Sequence, residues 1–199
     1  MFSPAHKVYF VEIPKNASRC ISTLLDKSAR GNTYLPMHEK TSKCMQILPP
    51  DLQNKVEKIV AILREPRERL VSMANYLDGY FLDDLLKHIA NNSFNPEIHA
   101  GREAIMITKP QKYFLDGGFT YNLFTMDTID ALCSFCDLGA PHIENESHKK
   151  YTLEDLKKSK YYEAAIKVYR DDFWLYDLVS KNQTDEGFVW KEKELEECM

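Results

Sequence analysis

Glycine is scarce in this chain, with seven residues in 199 and none between Val8 and Arg30. Loops that cradle nucleoside triphosphates carry glycines at fixed positions, because backbone N–H groups must approach the phosphates closely. The segment that is predicted to hold the first strand and helix lacks those glycines. A G-x-x-x-x-G-K-[ST] loop is therefore excluded there.

Further absences exclude other classes of protein. The sequence has no run of about 18 apolar residues, so no transmembrane helix is predicted, and residues 1–7 are too short and polar for a signal peptide. With 26 basic and 30 acidic residues, the chain lacks the basic excess typical of nucleic-acid binding. Five cysteines show no spacing of a secreted scaffold. We expect a cytoplasmic protein that binds neither nucleic acid nor membranes.

The composition is that of a folded domain, with 44% hydrophobic and 28% charged residues. Residues 185–199 contain six acidic residues against two lysines, whereas the part before them is balanced in charge. We predict one domain over residues 1–184 and an acidic C-terminal tail over residues 185–199. No pattern in the sequence predicts an oligomeric state.

Two strand-loop-helix units are visible in the hydrophobic pattern. An apolar, β-branched segment over residues 8–13 stops at Pro14 and precedes a helical pattern. A second such segment, residues 59–63, precedes Pro66, which suits the first turn of a helix. Repeated units of this kind are typical of α/β domains. We predict a single α/β domain with a parallel β-sheet flanked by helices.

The later part of the chain predicts one more strand and two helices. The strand covers residues 121–126, and Asp127 is placed to cap a helix that continues to about Leu138. Apolar side chains every three or four positions over residues 162–176 predict one stripe of a single long helix.

A cysteine pair, Cys133 and Cys136, falls one helical turn apart in the first of these helices. Zinc sites of this spacing need a second pair of cysteine or histidine ligands, and none accompanies it. Packing in the core is the favoured interpretation, with metal or redox chemistry as the alternative. No metal site is predicted.

The first unit places a lysine between its strand and its helix. Such a loop can hold phosphate, because backbone N–H groups and the helix N-terminus face the anion and the lysine adds a charge. A solvated loop lysine is the alternative. The candidate binding segment consists of Pro14, Lys15, Asn16, Ala17, Ser18, Arg19 and Cys20.

The second unit places Arg64 at the carboxyl end of its strand and Ser72 two turns into the following helix. Ligands of open α/β sheets bind at this end of the strands, and an arginine with a hydroxyl can hold one phosphate. The alternative is a helix start rich in surface salt bridges, with Arg67 and Arg69 solvated.

Together the motifs I-P-K-x-A-S and R-x-P-x-x-R-L-x-S resemble the sulfotransferase family, most closely the carbohydrate branch with chondroitin, dermatan and heparan 2-O-sulfotransferases. The resemblance covers about residues 8–179, including Asn145 in a late loop. It implies a fold like the P-loop nucleotide kinases and 3′-phosphoadenosine 5′-phosphosulfate (PAPS) as co-substrate, without a metal. It further implies that Lys15 and its loop bind the 5′-phosphosulfate, and that Arg64 and Ser72 bind the 3′-phosphate. The acceptor would be a carbohydrate or another molecule with a hydroxyl group.

Two departures from the family pattern concern the first motif. The family usually has a threonine at the position of Arg19 and often a small polar residue at that of Cys20, so a phosphate-binding hydroxyl is missing. Ser18, Ser22 or the guanidinium of Arg19 could replace it.

The resemblance also directs attention to His38 as general base, because a neutral imidazole is available near pH 7. Glu39 and Glu12 are the reserve candidates, and a loop histidine without a role is the alternative. With Lys15 and His38 as catalytic residues, the chain is expected to be a PAPS-dependent sulfotransferase. Two rival functions are a module that binds 3′,5′-adenosine diphosphate (PAP) or another phosphate ester without catalysis, and a kinase-like phosphotransferase using ATP.

Overall fold

The structure is a computed structural model that describes residues 1–28, 38–77, 79–97, 99–141 and 150–191. A five-stranded mixed sheet lies at its centre, in the order β1-β2-β3-β4-β5. Strands β2, β3 and β4 are parallel, and β1 and β5 pair antiparallel at the two edges. The strands are β1 Phe2–Ser3, β2 Val8–Phe10, β3 Lys58–Leu63, β4 Thr120–Thr125 and β5 Phe188–Lys191.

Helices connect and cover the parallel strands, as the sequence pattern predicts for an α/β domain. The first seven are α1 Ser18–Ser28, α2 Thr41–Ile47, α3 Pro50–Gln53, α4 Pro66–Tyr76, α5 Leu82–Asn91, α6 His99–Ile107 and α7 Ile129–Phe135. The last three are α8 Leu153–Lys158, α9 Tyr162–Lys167 and α10 Arg170–Lys181, and two 3-10 helices cover Gln111–Phe114 and Met126–Thr128. None of the described helices is long and apolar enough to cross a bilayer.

Each face of the sheet is buried against different helices, since side chains alternate along a strand. Tyr9, Ala61 and Leu123 face a core that includes α2 and α10. Phe10 and Ile62 face the opposite core, which includes α1 and α7. Burial on both faces explains why β2 and β3 have nearly continuous apolar sequences.

A third core lies among helices alone. We call it the helical layer; it is formed by α4, α5, α6, α8 and α9. Its buried side chains include Leu70, Leu86, Ala104, Leu156 and Ala165. Helix α4 starts directly after β3 and carries this layer next to the carboxyl end of the sheet.

The predicted parallel sheet is confirmed for β2, β3 and β4, whereas the edge strands β1 and β5 are antiparallel. The structure also places a strand inside the predicted tail. Residues 188–191 form β5, and Trp190 pairs with Tyr121 and is buried against it. The acidic composition of residues 185–199 concealed this strand, whose apolar core is only three residues long. Residues 192–199 lie outside the described part of the chain.

The predicted long helix over residues 162–176 is two helices, because α9 ends before Val168 and α10 begins at Arg170. Val168 and Tyr169 donate to carbonyls only three residues back, which tightens the chain into a turn. The Tyr169 hydroxyl donates to the Thr108 carbonyl at 2.8 Å and fixes the ring in the interior. The apolar periodicity continues across the break between α9 and α10, so the sequence pattern could not reveal the break.

The cap of α7 also differs from its prediction. The exposed Asp127 does not cap it; Thr125 and Thr128 form a reciprocal capping box around the 3-10 helix that precedes α7. Helix α7 ends at Phe135, three residues earlier than expected, and Asp137 follows with a left-handed φ of 54°.

Candidate functional site

The 14–17 loop connects β2 to α1 in an unusual backbone conformation. Lys15 has φ of 67° and Ala17 has φ of 56°, in the left-handed region that favours glycine. Each such residue costs about 1–2 kcal/mol relative to ordinary backbone. The loop therefore takes up glycine-like conformations without glycine, and neighbouring contacts must hold it.

Two side chains of the loop region supply those contacts. Asn16 is buried, and its Nδ2 donates to the Ile62 carbonyl at 2.7 Å and to Gln111 Oε1 at 2.5 Å. The hydroxyl of Ser18, at the start of α1, donates back to the Ile13 carbonyl at 2.7 Å. The loop is thus fastened to β3 and to the end of its own strand.

Arg64 follows β3 and lies next to the same loop, because β2 and β3 are neighbouring parallel strands. Its Nη1 makes a long hydrogen bond of 3.4 Å to the Lys15 carbonyl. Its Nε lies 3.7 Å from a carboxylate oxygen of Glu68, one turn along α4. The two sequence motifs therefore meet at one edge of the sheet.

Three cations gather at this edge. Burial, with added repulsion from Arg64 and Arg19, lowers the pKa of Lys15 to about 8. Among the described residues no carboxylate forms an ion pair with Lys15 or with the exposed Arg19. The local field therefore favours an anion.

An aromatic side chain supports the lysine. Nζ of Lys15 lies 4.1 Å from the centre of the Tyr76 ring, a cation–π distance. The Tyr76 hydroxyl donates to Glu103 Oε1 at 2.9 Å, and this bond raises the pKa of Tyr76. Tyr76 is 43% exposed, so the lysine rests on a ring that is open to solvent.

Ser72 lies between these two contacts along α4. Residues four apart share a helix face, so Ser72 shares a row with Glu68, which faces Arg64, and with Tyr76, which faces Lys15. This row places its half-buried side chain on the side of α4 that faces the cations.

His38 contacts the segment between β2 and the 14–17 loop. It has a left-handed φ of 59°, and its Nδ1 lies 2.8 Å from the Glu12 carbonyl. A carbonyl only accepts, so Nδ1 carries the proton and Nε2 of the neutral ring has the free lone pair. This is the tautomer that a general base requires.

The reserve bases are already engaged. Glu39 forms a 2.9 Å ion pair with Lys43, and Glu12 Oε1 accepts a hydrogen bond from Ser22 at 2.8 Å. We therefore keep His38 as the first of the three predicted candidates.

Both serines that could replace the missing hydroxyl of the first motif are engaged in hydrogen bonds. Ser18 donates its single hydroxyl proton to Ile13, and Ser22 donates its own to Glu12. Either would have to break that bond to donate to a phosphate. Arg19 is the remaining predicted substitute, since it is exposed at the first turn of α1, while Cys20 is half-buried beside it.

Cys133 and Cys136 lie in the sheet core that includes α7, away from solvent. Burial raises the pKa of Cys133 to about 11 and that of Cys136 to about 12, so both stay protonated thiols near neutral pH. The described residues contain no cluster of ligands suited to a metal ion.

Three residues support the site from below the cations, and two of them, Gln111 and Asp172, are indicated by no pattern in the sequence. The alternative that left Arg69 solvated is wrong, because Arg69 is 1% exposed and donates to the carbonyls of Pro14 and Ile107, each at 3.0 Å. Gln111 and Asp172 form the other half of this support, because Asp172 accepts from the Gln111 backbone N–H at 2.7 Å. These contacts span 38 to 61 residues of chain, which no local pattern encodes.

The site thus combines a fastened loop and three cations, and His38 contacts the Glu12 carbonyl three residues before Lys15. Asn145, which belongs to the family resemblance, lies outside the described residues. Comparison of the chain with protein-family models, curated proteins and solved structures finds no match.

Proposed function

We propose that the protein is a PAPS-dependent sulfotransferase that moves a sulfuryl group to a hydroxyl acceptor, a carbohydrate by the resemblance of its motifs. The observation that carries the proposal is the convergence of Lys15, Arg19 and Arg64 where two neighbouring parallel strands end. PAPS bears anionic groups on both the 5′ and 3′ positions of one ribose, which suits two cationic loops side by side.

The donor would bind across both loops. Lys15 and the 14–17 loop would hold the 5′-phosphosulfate at the N-terminus of α1. Arg64, with Ser72 on the facing side of α4, would hold the 3′-phosphate. A fold of the nucleotide-kinase type is part of this proposal, and the two strand-loop-helix units β2–α1 and β3–α4 support it.

Transfer would proceed in line. The acceptor oxygen forms a bond to sulfur while the bond from sulfur to the phosphate oxygen breaks, and PAP leaves with that electron pair. Lys15 would stabilise the negative charge that grows on the leaving oxygen. His38 would take the acceptor proton at Nε2, a step typically worth about 10²–10⁴-fold in rate.

A module that binds PAP or a similar phosphate ester without catalysis is the second candidate. The engaged hydroxyls of Ser18 and Ser22 favour it, because the first motif then offers no unengaged serine hydroxyl to the 5′-phosphate. Such a protein would keep the cationic site and lack turnover.

Calorimetry with PAP and ATP tests the donor site. We expect PAP to bind and ATP to bind at least tenfold more weakly. A tenfold difference in affinity corresponds to about one hydrogen bond to a charged group. ATP binding equal to or tighter than PAP would reject the sulfotransferase proposal and favour the kinase-like phosphotransferase.

Transfer of labelled sulfate from PAPS to a panel of sugars separates the enzyme from the binding module. We expect transfer by the wild-type chain, and a fall in turnover of about 10²–10⁴-fold in His38→Ala, the usual value of a general base. Turnover equal to wild type in His38→Ala would remove His38 from the mechanism. PAP binding with neither sulfate transfer nor slow, Lys15-dependent PAPS hydrolysis would favour the binding module.

A further inference from the structure

One carboxamide joins the two loops of the proposed donor site. Gln111 Oε1 accepts from Asn16 Nδ2 at 2.5 Å and from the Arg64 backbone N–H at 2.9 Å. Its Nε2 donates to the Arg64 carbonyl at 2.9 Å. A single buried side chain thus bonds to the loop after β2 and, twice, to the residue after β3.

Gln111 is itself fixed from a third direction. Its backbone N–H donates to Asp172 Oδ2 at 2.7 Å, and the next N–H, of Lys112, donates to Oδ1 at 3.0 Å. Asp172 belongs to α10, which packs on the sheet. The carboxamide therefore has a defined position relative to the sheet, and so do the groups bonded to it.

The strands alone would not define the spacing of the two loops. Hydrogen bonds between β2 and β3 end near Val11, which donates to the Val60 carbonyl at 2.9 Å, before the cationic residues begin. Beyond that point the long contact between Arg64 and the Lys15 carbonyl and the bonds of Asn16 hold the loops together. Gln111 takes part in the shortest of them.

We propose that Gln111 is a positioning residue that sets the separation of the two anion sites, and thereby selects nucleoside 3′,5′-bisphosphates over monophosphates. The inference rests on the proposed donor site. A ligand with two phosphates must contact both loops at once. Two loops that already have the correct spacing bind it without the free-energy cost of ordering them. A ligand with one phosphate engages one loop and is insensitive to the spacing.

The test compares PAP with adenosine 5′-monophosphate (AMP) by calorimetry in wild type and in Gln111→Met, which fills a similar volume without hydrogen bonds. Gln183→Met is the matched control. The Gln183 carboxamide also bridges elements, accepting from Thr128 Oγ1 at 2.9 Å and donating to the Leu123 carbonyl at 3.1 Å, but it bonds to neither loop.

We expect the ratio of PAP to AMP affinity to fall about tenfold in Gln111→Met, because misplaced loops lose the equivalent of one hydrogen bond to a phosphate. The ratio should stay unchanged in Gln183→Met. If Gln111→Met does not fold, the neutral variant Gln111→Asn keeps the carboxamide on a side chain one methylene shorter, so that it no longer spans both loops, and is expected to lower the ratio in the same direction. A ratio equal to wild type in the folded variant would overturn the inference. A wild-type protein that binds PAP no better than AMP would instead overturn the proposed donor site.

Discussion

At the scale of the residue, Lys15 is unusual because it is a cation surrounded by other cations. Its ordinary pKa of 10.5 falls to about 8 through burial and the nearby Arg64 and Arg19. The Lys15 side chain is mainly a charged ammonium below about pH 8, and this charge is lost as the pH rises through that value. The affinity for an anion that binds the charged form is therefore greatest well below about pH 8 and declines as the pH rises through that value.

Calorimetric titration of PAP between about pH 7 and 9.5 measures this dependence. We expect the wild-type affinity to decline above about pH 8. The affinity of Lys15→Arg should stay flat, because a guanidinium keeps its charge throughout. A wild-type affinity that is constant over the range would show that the Lys15 ammonium does not contact the ligand.

Arg64 and Arg67 offer a matched pair of arginines on one helix start. Arg64 reaches the 14–17 loop, whereas Arg67 is exposed and stacks over the Phe173 ring at 4.7 Å. We expect Arg64→Ala to weaken PAP by about tenfold to a hundredfold, the value of a charge-assisted hydrogen bond, and to weaken adenosine 5′-phosphosulfate, which lacks the 3′-phosphate, far less. Arg67→Ala should change neither. An equal loss for both ligands in Arg64→Ala would assign Arg64 to the fold.

At the scale of the element, β5 completes the sheet and buries the largest side chain of the core. Trp190 is 1% exposed, and its ring centre lies 5.6 Å from that of Tyr121 on β4. Trp190→Ala should lower the free energy of unfolding by about 3–5 kcal/mol, measured by urea denaturation. Val189→Ala is the control, since Val189 is 54% exposed on the same strand and should change it by less than about 0.5 kcal/mol. Similar effects of both variants would mean that β5 adds nothing to the core.

The sequence could predict elements whose pattern is local. Strands β2, β3 and β4 have strong β-branched or aromatic sequences bounded by proline or glycine, and the helix start at Pro66 follows from its fixed φ. The edges β1 and β5 are two and four residues long, too short for a period to be recognised. The break between α9 and α10 arises from a turn that leaves the apolar spacing intact.

The candidate site divides in the same way. Lys15, Arg64 and Ser72 belong to compact motifs, so their positions after a strand could be predicted, and the family resemblance assigns them to one ligand. Gln111 and Asp172 hold the loops from distant parts of the chain. Their role depends on tertiary placement, which a single sequence does not express.

At the scale of the whole molecule, Arg69 links the helical layer to the sheet. It belongs to α4, yet its guanidinium donates to the carbonyl of Pro14 in the 14–17 loop and to that of Ile107 at the end of α6. Each buried carbonyl left without its donor costs about 1–3 kcal/mol. The two parts of the fold therefore depend on one charged side chain for part of their cohesion.

We expect Arg69→Met to lower the free energy of unfolding by at least about 2 kcal/mol, because two buried carbonyls lose their donors. Amide hydrogen exchange should accelerate more in the helical layer than in β2, β3 and β4, since the layer is then less firmly joined to the sheet. Arg67→Met, at an exposed position, serves as the control. Unchanged stability with uniform exchange would show that apolar packing alone joins the two parts.

The left-handed backbone at Lys15 and Ala17 also bears on how quickly a ligand is captured. A glycine-rich loop samples many conformations, and a ligand binds only when the loop adopts the conformation that fits it. Here the loop is built from residues with side chains and is fastened through Asn16, so few shapes are open to it before any ligand arrives. Encounter with an anion can then lead directly to the bound complex, in a single bimolecular phase with no slower rearrangement of this segment.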